Sequence, residues 1–200
     1  MKHFSSLVIA VLFAISFSVL TGLVWTGTTE TFDHVLRQAF LQSDPPQLLS
    51  VWQGITFLGS TLVITFLTLA VIVALALRKQ WVGARYIALV MLSAVVIESA
   101  MKWTVQRARP DQVIDYLVPT SFSFPSGHAL FATAFYGSFA IVVSAGLSGG
   151  SRALVWVTAV TLVLAIGASR IFLGVHYPSD VIAGFLAGAF CIALVRPMMR

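Results

Sequence analysis

The chain has 200 residues, 58% of them hydrophobic and 10% charged, with a net charge of +5 and a mean hydropathy of +0.95. A soluble domain carries about 25% charged residues, and a water-exposed fold of this size could not hide so much apolar surface, so the expected solvent is a bilayer. The basic residues are scattered over short loops, with no basic helix face or aromatic-interleaved patch, which argues against nucleic acid as a partner; the single cysteine, Cys191, excludes an internal disulfide.

Six apolar stretches follow in chain order, at about 6–25, 56–77, 85–105, 127–146, 152–169 and 179–197. Each is near the ~20 residues needed to cross a hydrocarbon core. The first follows Lys2 and could pass for a signal peptide, but its apolar run is longer than an h-region and no A-x-A site follows, so it is read as a helix. Between the first two spans, Phe32, Val35, Leu36, Ala39 and Phe40 recur at helical spacing, with Glu30, Asp33, Arg37 and Gln38 on the other face. This predicts a short amphipathic helix in the interface, ended by Asp44-Pro45-Pro46 and serving either as a packing connector or as a cover over lipid access. Gly184 and Gly188 form a small-xxx-small pair suited to packing within the bundle. The expected fold is all-α, a six-transmembrane-helix bundle in a single domain of residues 1–200. The Lys/Arg bias favours both termini inside, with Lys2, Arg78, Lys79, Arg85, Arg152, Arg196 and Arg200 cytoplasmic and Arg37, Lys102, Arg107, Arg109 and Arg170 outside.

Three polar clusters interrupt the apolar chain, all at the outer face. They are Lys102, six residues, then Arg109-Pro110; Pro125-Ser126-Gly127-His128 at the head of the fourth span; and Ser169-Arg170, five residues, His176, three residues, Asp180. Lys102, Arg109 and Arg170 place a point charge and two planar forks at one depth, which suits a phosphate dianion. Pro125 reads as the first residue of a helix, leaving the amides of Ser126, Gly127 and His128 aimed at an anion. His176 precedes Tyr177-Pro178 and so sits on a loop, while Asp180 reaches back to one ring nitrogen and leaves the other as a nucleophile. His128 remains as proton donor to a departing alkoxide.

These motifs resemble the type 2 phosphatidic acid phosphatase superfamily, the lipid phosphate phosphatases, without departure at their eleven fixed positions. The resemblance implies that Lys102, Arg109, Ser126, Gly127 and Arg170 bind phosphate, that His176 forms a phosphohistidine assisted by Asp180, and that His128 is the acid. It implies a lipid phosphate substrate: undecaprenyl diphosphate, phosphatidylglycerophosphate or phosphatidic acid. An outward site in a bacterial inner membrane favours the first, because it can recycle that carrier. No obligate protein partner is evident.

Other readings stand beside this one. His176 and Asp180 have metal-ligand spacing, but no further carboxylate or cysteine completes a site, and no metal or other cofactor is expected. A non-catalytic lipid-phosphate carrier would have lost the histidines, a haloperoxidase would be soluble, and a lipid-linked phosphotransferase would use the same site with another acceptor. Glu98, four residues before Lys102, is either its ion-pair partner or a proton relay. Tyr116, Phe122 and Phe124 line an acyl-chain entrance or form an aromatic belt. Arg107 is read as a loop cation, and His3 and His34 as surface residues.

Overall fold

The computed structural model describes residues 2–43, 46–111 and 121–199. It contains α1 (Lys2–Trp25), α2 (Glu30–Ser43), a 3-10 turn (Pro46–Leu48), α3 (Leu49–Phe57), α4 (Thr61–Leu77), α5 (Trp81–Val105), α6 (Gly127–Ser144), α7 (Gly149–Phe172) and α8 (Pro178–Val195), closed by a 3-10 turn (Arg196–Met198). Among the described residues, six helical stretches are long and apolar enough to cross a membrane, as the sequence predicts. The second expected span is longer than read from the sequence and divided: α3 and α4 meet at an elbow where Ser60 caps α4, its Oγ accepting the Val63 N–H at 3.3 Å. A side-chain acceptor at that position satisfies one of the orphan donors of a new helix, which is why the chain restarts there.

The helices are arranged by apolarity in the inverse of a soluble protein. α6 has the lowest mean hydropathy of the six spans, 1.4, and the most buried apolar window, 56%, whereas α1 has the highest, 2.6, and only 11% of its window is buried. Lipid is as apolar as leucine, so association between spans depends on close packing rather than on escape from water. α6 lies against α5, α7 and α8, and α8 also packs on α1. α6 and α8 meet closely at backbone level: a Cβ on Gly184 would lie 2.7 Å from the Ser126 carbonyl oxygen and 2.8 Å from Ala129 Cβ, and one on Gly188 would lie 2.6 Å from Thr133 Cβ. The small-residue pair therefore serves contact within the bundle, and Cys191 is a fully buried, helix-facing residue.

α2 is the expected amphipathic helix, packed on α7 and α8 with Phe32 and Val35 exposed and Asp33 fully buried. Asp33 alone of its acidic residues turns fully inward, Glu30 and Gln38 are exposed, and Phe40 packs on Phe172 with centroids 4.7 Å apart, which seats the helix on the end of the bundle. Asp44 and Pro45 fall outside the described residues, as does Tyr116. Phe124 lines neither an entrance nor a belt: it is fully buried and stacks on Phe17 with centroids 6.1 Å apart. Phe122 meets Trp103 edge-on at 6.0 Å. His34 is exposed at the edge of Tyr177.

The chain alternates direction from span to span, so the C-terminal ends of α5 and α7 and the N-terminal ends of α6 and α8 share one end of the bundle. The three polar clusters sit there.

Candidate active site

α8 begins at Pro178, with Tyr177 as its N-cap and Asp180 at its third position. Proline at a first helical position and a carboxylate in the first turn are what a helix start favours. His176 lies just before this start, in the loop from α7, where it is 2% exposed. Asp180 is fully buried and both of its oxygens are engaged. Oδ1 accepts Arg107 Nη1 at 2.6 Å. Oδ2 accepts the Ser123 hydroxyl at 2.6 Å and the Tyr177 N–H at 3.0 Å, and lies 3.4 Å from His176 Nδ1.

The other ring nitrogen meets Arg109, whose Nη1 stands 3.1 Å from His176 Nε2. A guanidinium has donors only, so this contact is a hydrogen bond when Nε2 carries its lone pair. The proton then belongs on Nδ1, facing Asp180. Burial, with Arg109 and Arg170 nearby, pushes the His176 pKa down to about 4 against the opposing pull of Asp180, so the ring is neutral at pH 7.

Arg109 is held on every side. Nε donates to the Ser121 carbonyl at 2.8 Å and Nη1 to the Val175 carbonyl at 2.8 Å. Nη2 donates to Ser121 Oγ and the Phe122 carbonyl, both at 3.2 Å. Burial lowers its pKa, partly offset by Asp180 and Glu98. Lys102, in the last turn of α5, pairs with Glu98 Oε1 at 2.7 Å and donates to Ser121 Oγ at 3.0 Å. Glu98 is thus the ion-pair partner of Lys102. Arg170 lies inside the last turn of α7 rather than at the junction after it, and donates Nη1 to Thr56 Oγ1 at 2.5 Å.

The Pro-Ser-Gly-His segment differs in detail from its sequence reading. Ser126, not Pro125, is the residue flanking the helix, and α6 starts at Gly127. The Ser126 N–H donates to the Asp180 carbonyl at 3.0 Å, so only the Gly127 and His128 amides remain at the helix end. Ser126 Oγ and Arg170 Nε are buried with no hydrogen-bond partner. Buried polar atoms are almost always paired, so two unpaired donors on opposite helices mark where a polar ligand fits. His128 is the second residue of α6 and is half-buried. Among those residues no three His, Cys, Asp or Glu side chains gather so as to hold a metal ion.

Two participants are absent from the sequence reading. Arg107 does lie on the loop after α5, but it is half-buried and paired with Asp33 and Asp180 at 2.7 and 2.6 Å, over the Tyr177 ring at 4.2 Å. Burial opposes its charge, but Asp180 and Asp33 outweigh that and raise its pKa above the usual value. Asp33 reaches from α2 to the start of α8, taking the Ser179 N–H at 2.8 Å and its hydroxyl at 2.6 Å. The one signal for either in the sequence is a charge inside or beside a span, which is expensive unless paired.

A guanidinium seated on a neutral, oriented histidine, with Lys102 of α5 and Arg170 of α7 at the same end of a membrane bundle, is the arrangement that a membrane phosphatase requires. The sequence matches the PAP2 superfamily over residues 83–200, and the chain belongs to that family. It is 30% identical to phosphatidylglycerophosphatase B of Bacillus subtilis over 90% of this chain and 89% of that protein. It is 37% identical to the decaprenylphosphoryl-5-phosphoribose phosphatase of Mycobacterium tuberculosis over 76% of this chain and 81% of the relative. Among solved structures, the transmembrane PAP2-type phosphatidylglycerolphosphate phosphatase from Bacillus subtilis superposes with a TM-score of 0.85 at 27% identity, covering 94% of each chain. The protein is an integral membrane lipid phosphatase that hydrolyses phosphoric esters.

Proposed function

We propose that this phosphatase works through a phosphohistidine on His176. The observation that carries the reading is the hydrogen bond from Arg109 Nη1 to His176 Nε2 at 3.1 Å, which puts the nucleophilic lone pair among the phosphate-binding cations. Nε2 attacks phosphorus as Arg109 transfers its donor to a phosphate oxygen, an N–P bond forms, and the ester or anhydride P–O bond breaks. His128 gives its proton to the leaving oxygen. Water then attacks phosphorus, returning a proton to His128 and releasing inorganic phosphate from His176. Asp180 orients the ring throughout and stabilises the charge that develops on it. Lys102, Arg109, Arg170, the Ser126 hydroxyl and the Gly127 and His128 amides hold the phosphoryl oxygens, the positioning and charge stabilisation that phosphoryl transfer chiefly requires.

The substrate is a phosphate monoester or diphosphate of a membrane lipid. The names of the relatives support phosphatidylglycerophosphate as the first to test and undecaprenyl diphosphate beside it, with phosphatidic acid included from the motif resemblance. The Lys/Arg distribution supports a site on the outer side of a bacterial inner membrane with both termini cytoplasmic.

The test is phosphate release from each lipid by purified wild type and His176→Ala in detergent with EDTA, together with acid-labile labelling of the protein from a 32P-labelled substrate. Release and labelling by wild type only are expected. Equal turnover by His176→Ala would overturn the mechanism.

A further inference from the structure

Arg107 and Asp33 belong to none of the three motifs, yet they close the buried side of the site. α5 ends at Val105 and is capped by Gln106, whose left-handed backbone (φ 48°) turns the chain so that Arg107 enters between α2 and α8. Its two terminal nitrogens go to different carboxylates: Nη1 to Asp180 Oδ1 at 2.6 Å and Ser179 Oγ at 2.8 Å, Nη2 to Asp33 Oδ2 at 2.7 Å. Asp33 then holds the second residue of α8 by both its N–H and its hydroxyl. α2 thereby caps, from outside, the helix whose first turn carries Asp180.

We infer that Arg107 and Asp33 are positioning residues for hydrolysis: Arg107 fixes the Asp180 carboxylate in the orientation that aims His176, and Asp33 fixes Arg107. The inference rests on the reading of His176 as nucleophile. A carboxylate turns easily about its last torsion, which is broad and two-fold. With Arg107 on Oδ1, and Ser123 and Tyr177 on Oδ2, it cannot turn, and Oδ2 is the oxygen left facing the ring. A planar fork can bridge two carboxylates at a fixed separation; the single ammonium of lysine cannot. Charge matters as well. Two buried carboxylates around one guanidinium leave one net negative charge beside His176, suited to the cationic ring of the phosphoenzyme. Without Arg107 the two buried acids would lose the cation that lies between them.

The experiment is steady-state kinetics on Arg107→Lys, Asp33→Asn and Asp180→Asn, singly and combined, with active enzyme counted by the phosphoenzyme burst and folding followed by thermal unfolding in detergent. Asp33→Asn is nearly isosteric and leaves Arg107 on Asp180, so it reports even where Arg107→Lys unfolds. Positioning predicts a fall in kcat of roughly 10- to 100-fold with KM little changed, as for outer partners that orient a reacting group. It also predicts no further loss when either change is added to Asp180→Asn, since residues acting as a unit are not additive. Wild-type kcat per active enzyme in either variant would remove that residue from the assignment. A rise in KM alone, or full additivity with Asp180→Asn, would overturn it. His176→Ala is measured alongside: if it turns over, the nucleophile reading falls and takes this inference with it. If it is inert while both variants keep wild-type kcat, only the inference falls.

Discussion

Oδ2 of Asp180 stands 3.4 Å from Nδ1 of His176, a long contact, because the same oxygen already accepts the Ser123 hydroxyl and the Tyr177 N–H at 2.6 and 3.0 Å. The carboxylate holds the ring by direction and charge more than by one short bond. Replacing it by an amide removes the charge and presents a donor where an acceptor is needed, inviting the wrong tautomer. Asp180→Asn is therefore expected to lower kcat by about 10³- to 10⁴-fold while leaving KM nearly unchanged. Lipid phosphate release at saturating substrate measures it, and a loss confined to KM would contradict it.

The neutral state of His176 makes folding sensitive to acid. Its folded pKa, about 4, lies below the unfolded value of 6.5, so between these limits the unfolded chain binds the extra proton. Stability from this group is complete above pH 6.5 and is lost as pH falls towards 4, with Asp180 opposing and Arg109 and Arg170 reinforcing the trend. Thermal unfolding in detergent at pH 7 and pH 5 is expected to give a lower Tm at pH 5. His176→Gln should remove part of that difference; an unchanged difference would assign the acid sensitivity to other groups.

Glu98 holds Lys102 at 2.7 Å, and the lysine otherwise touches only Ser121 among the described residues. Glu98→Gln leaves the ammonium charged but loosely placed, and a misplaced phosphate-binding cation weakens binding before it slows chemistry. The expected outcome is a rise in KM of about tenfold, equivalent to ~1.4 kcal/mol, with kcat little changed. A fall in kcat with loss of one limb of the pH profile would instead favour a proton relay through Glu98.

The Ser126 hydroxyl is buried and unpaired. An unsatisfied buried donor destabilises a fold by about 1–3 kcal/mol. Ser126→Ala is expected to leave Tm unchanged or higher while weakening competitive inhibition by vanadate, a phosphate mimic. A lower Tm with unaltered inhibition would place the hydroxyl in the packing instead.

The motif residues were legible because each motif is local: fixed spacings around Lys102, Pro125 and Arg170 carry the cations, the helix start and the histidine–aspartate pair together. The span pattern was legible for the same reason, since twenty consecutive apolar residues announce themselves. Arg107 and Asp33 were not, because their partners are 73 and 146 residues away and nothing in either neighbourhood requires a long-range acid–base chain. Asp33 stood on the polar face of an amphipathic helix, and periodicity alone does not say whether such a face meets water or a buried arginine. Phe124 was misjudged by proximity: two residues from Phe122 in a loop, it turns into the core against Phe17. The α3–α4 elbow was hidden because apolar residues flank the cap on both sides.

Gly184 lies one turn below Asp180, and the carbonyl it approaches belongs to Ser126, two residues before His128. The close approach of α8 to the start of α6 thus depends on two methyl groups that α8 does not carry at Gly184 and Gly188. The outer faces of α1 and α4 are mostly uncovered by protein and carry no such constraint. The α6–α8 seam has no such latitude: even an alanine at either glycine would wedge the two helices apart just below the turn that carries Asp180.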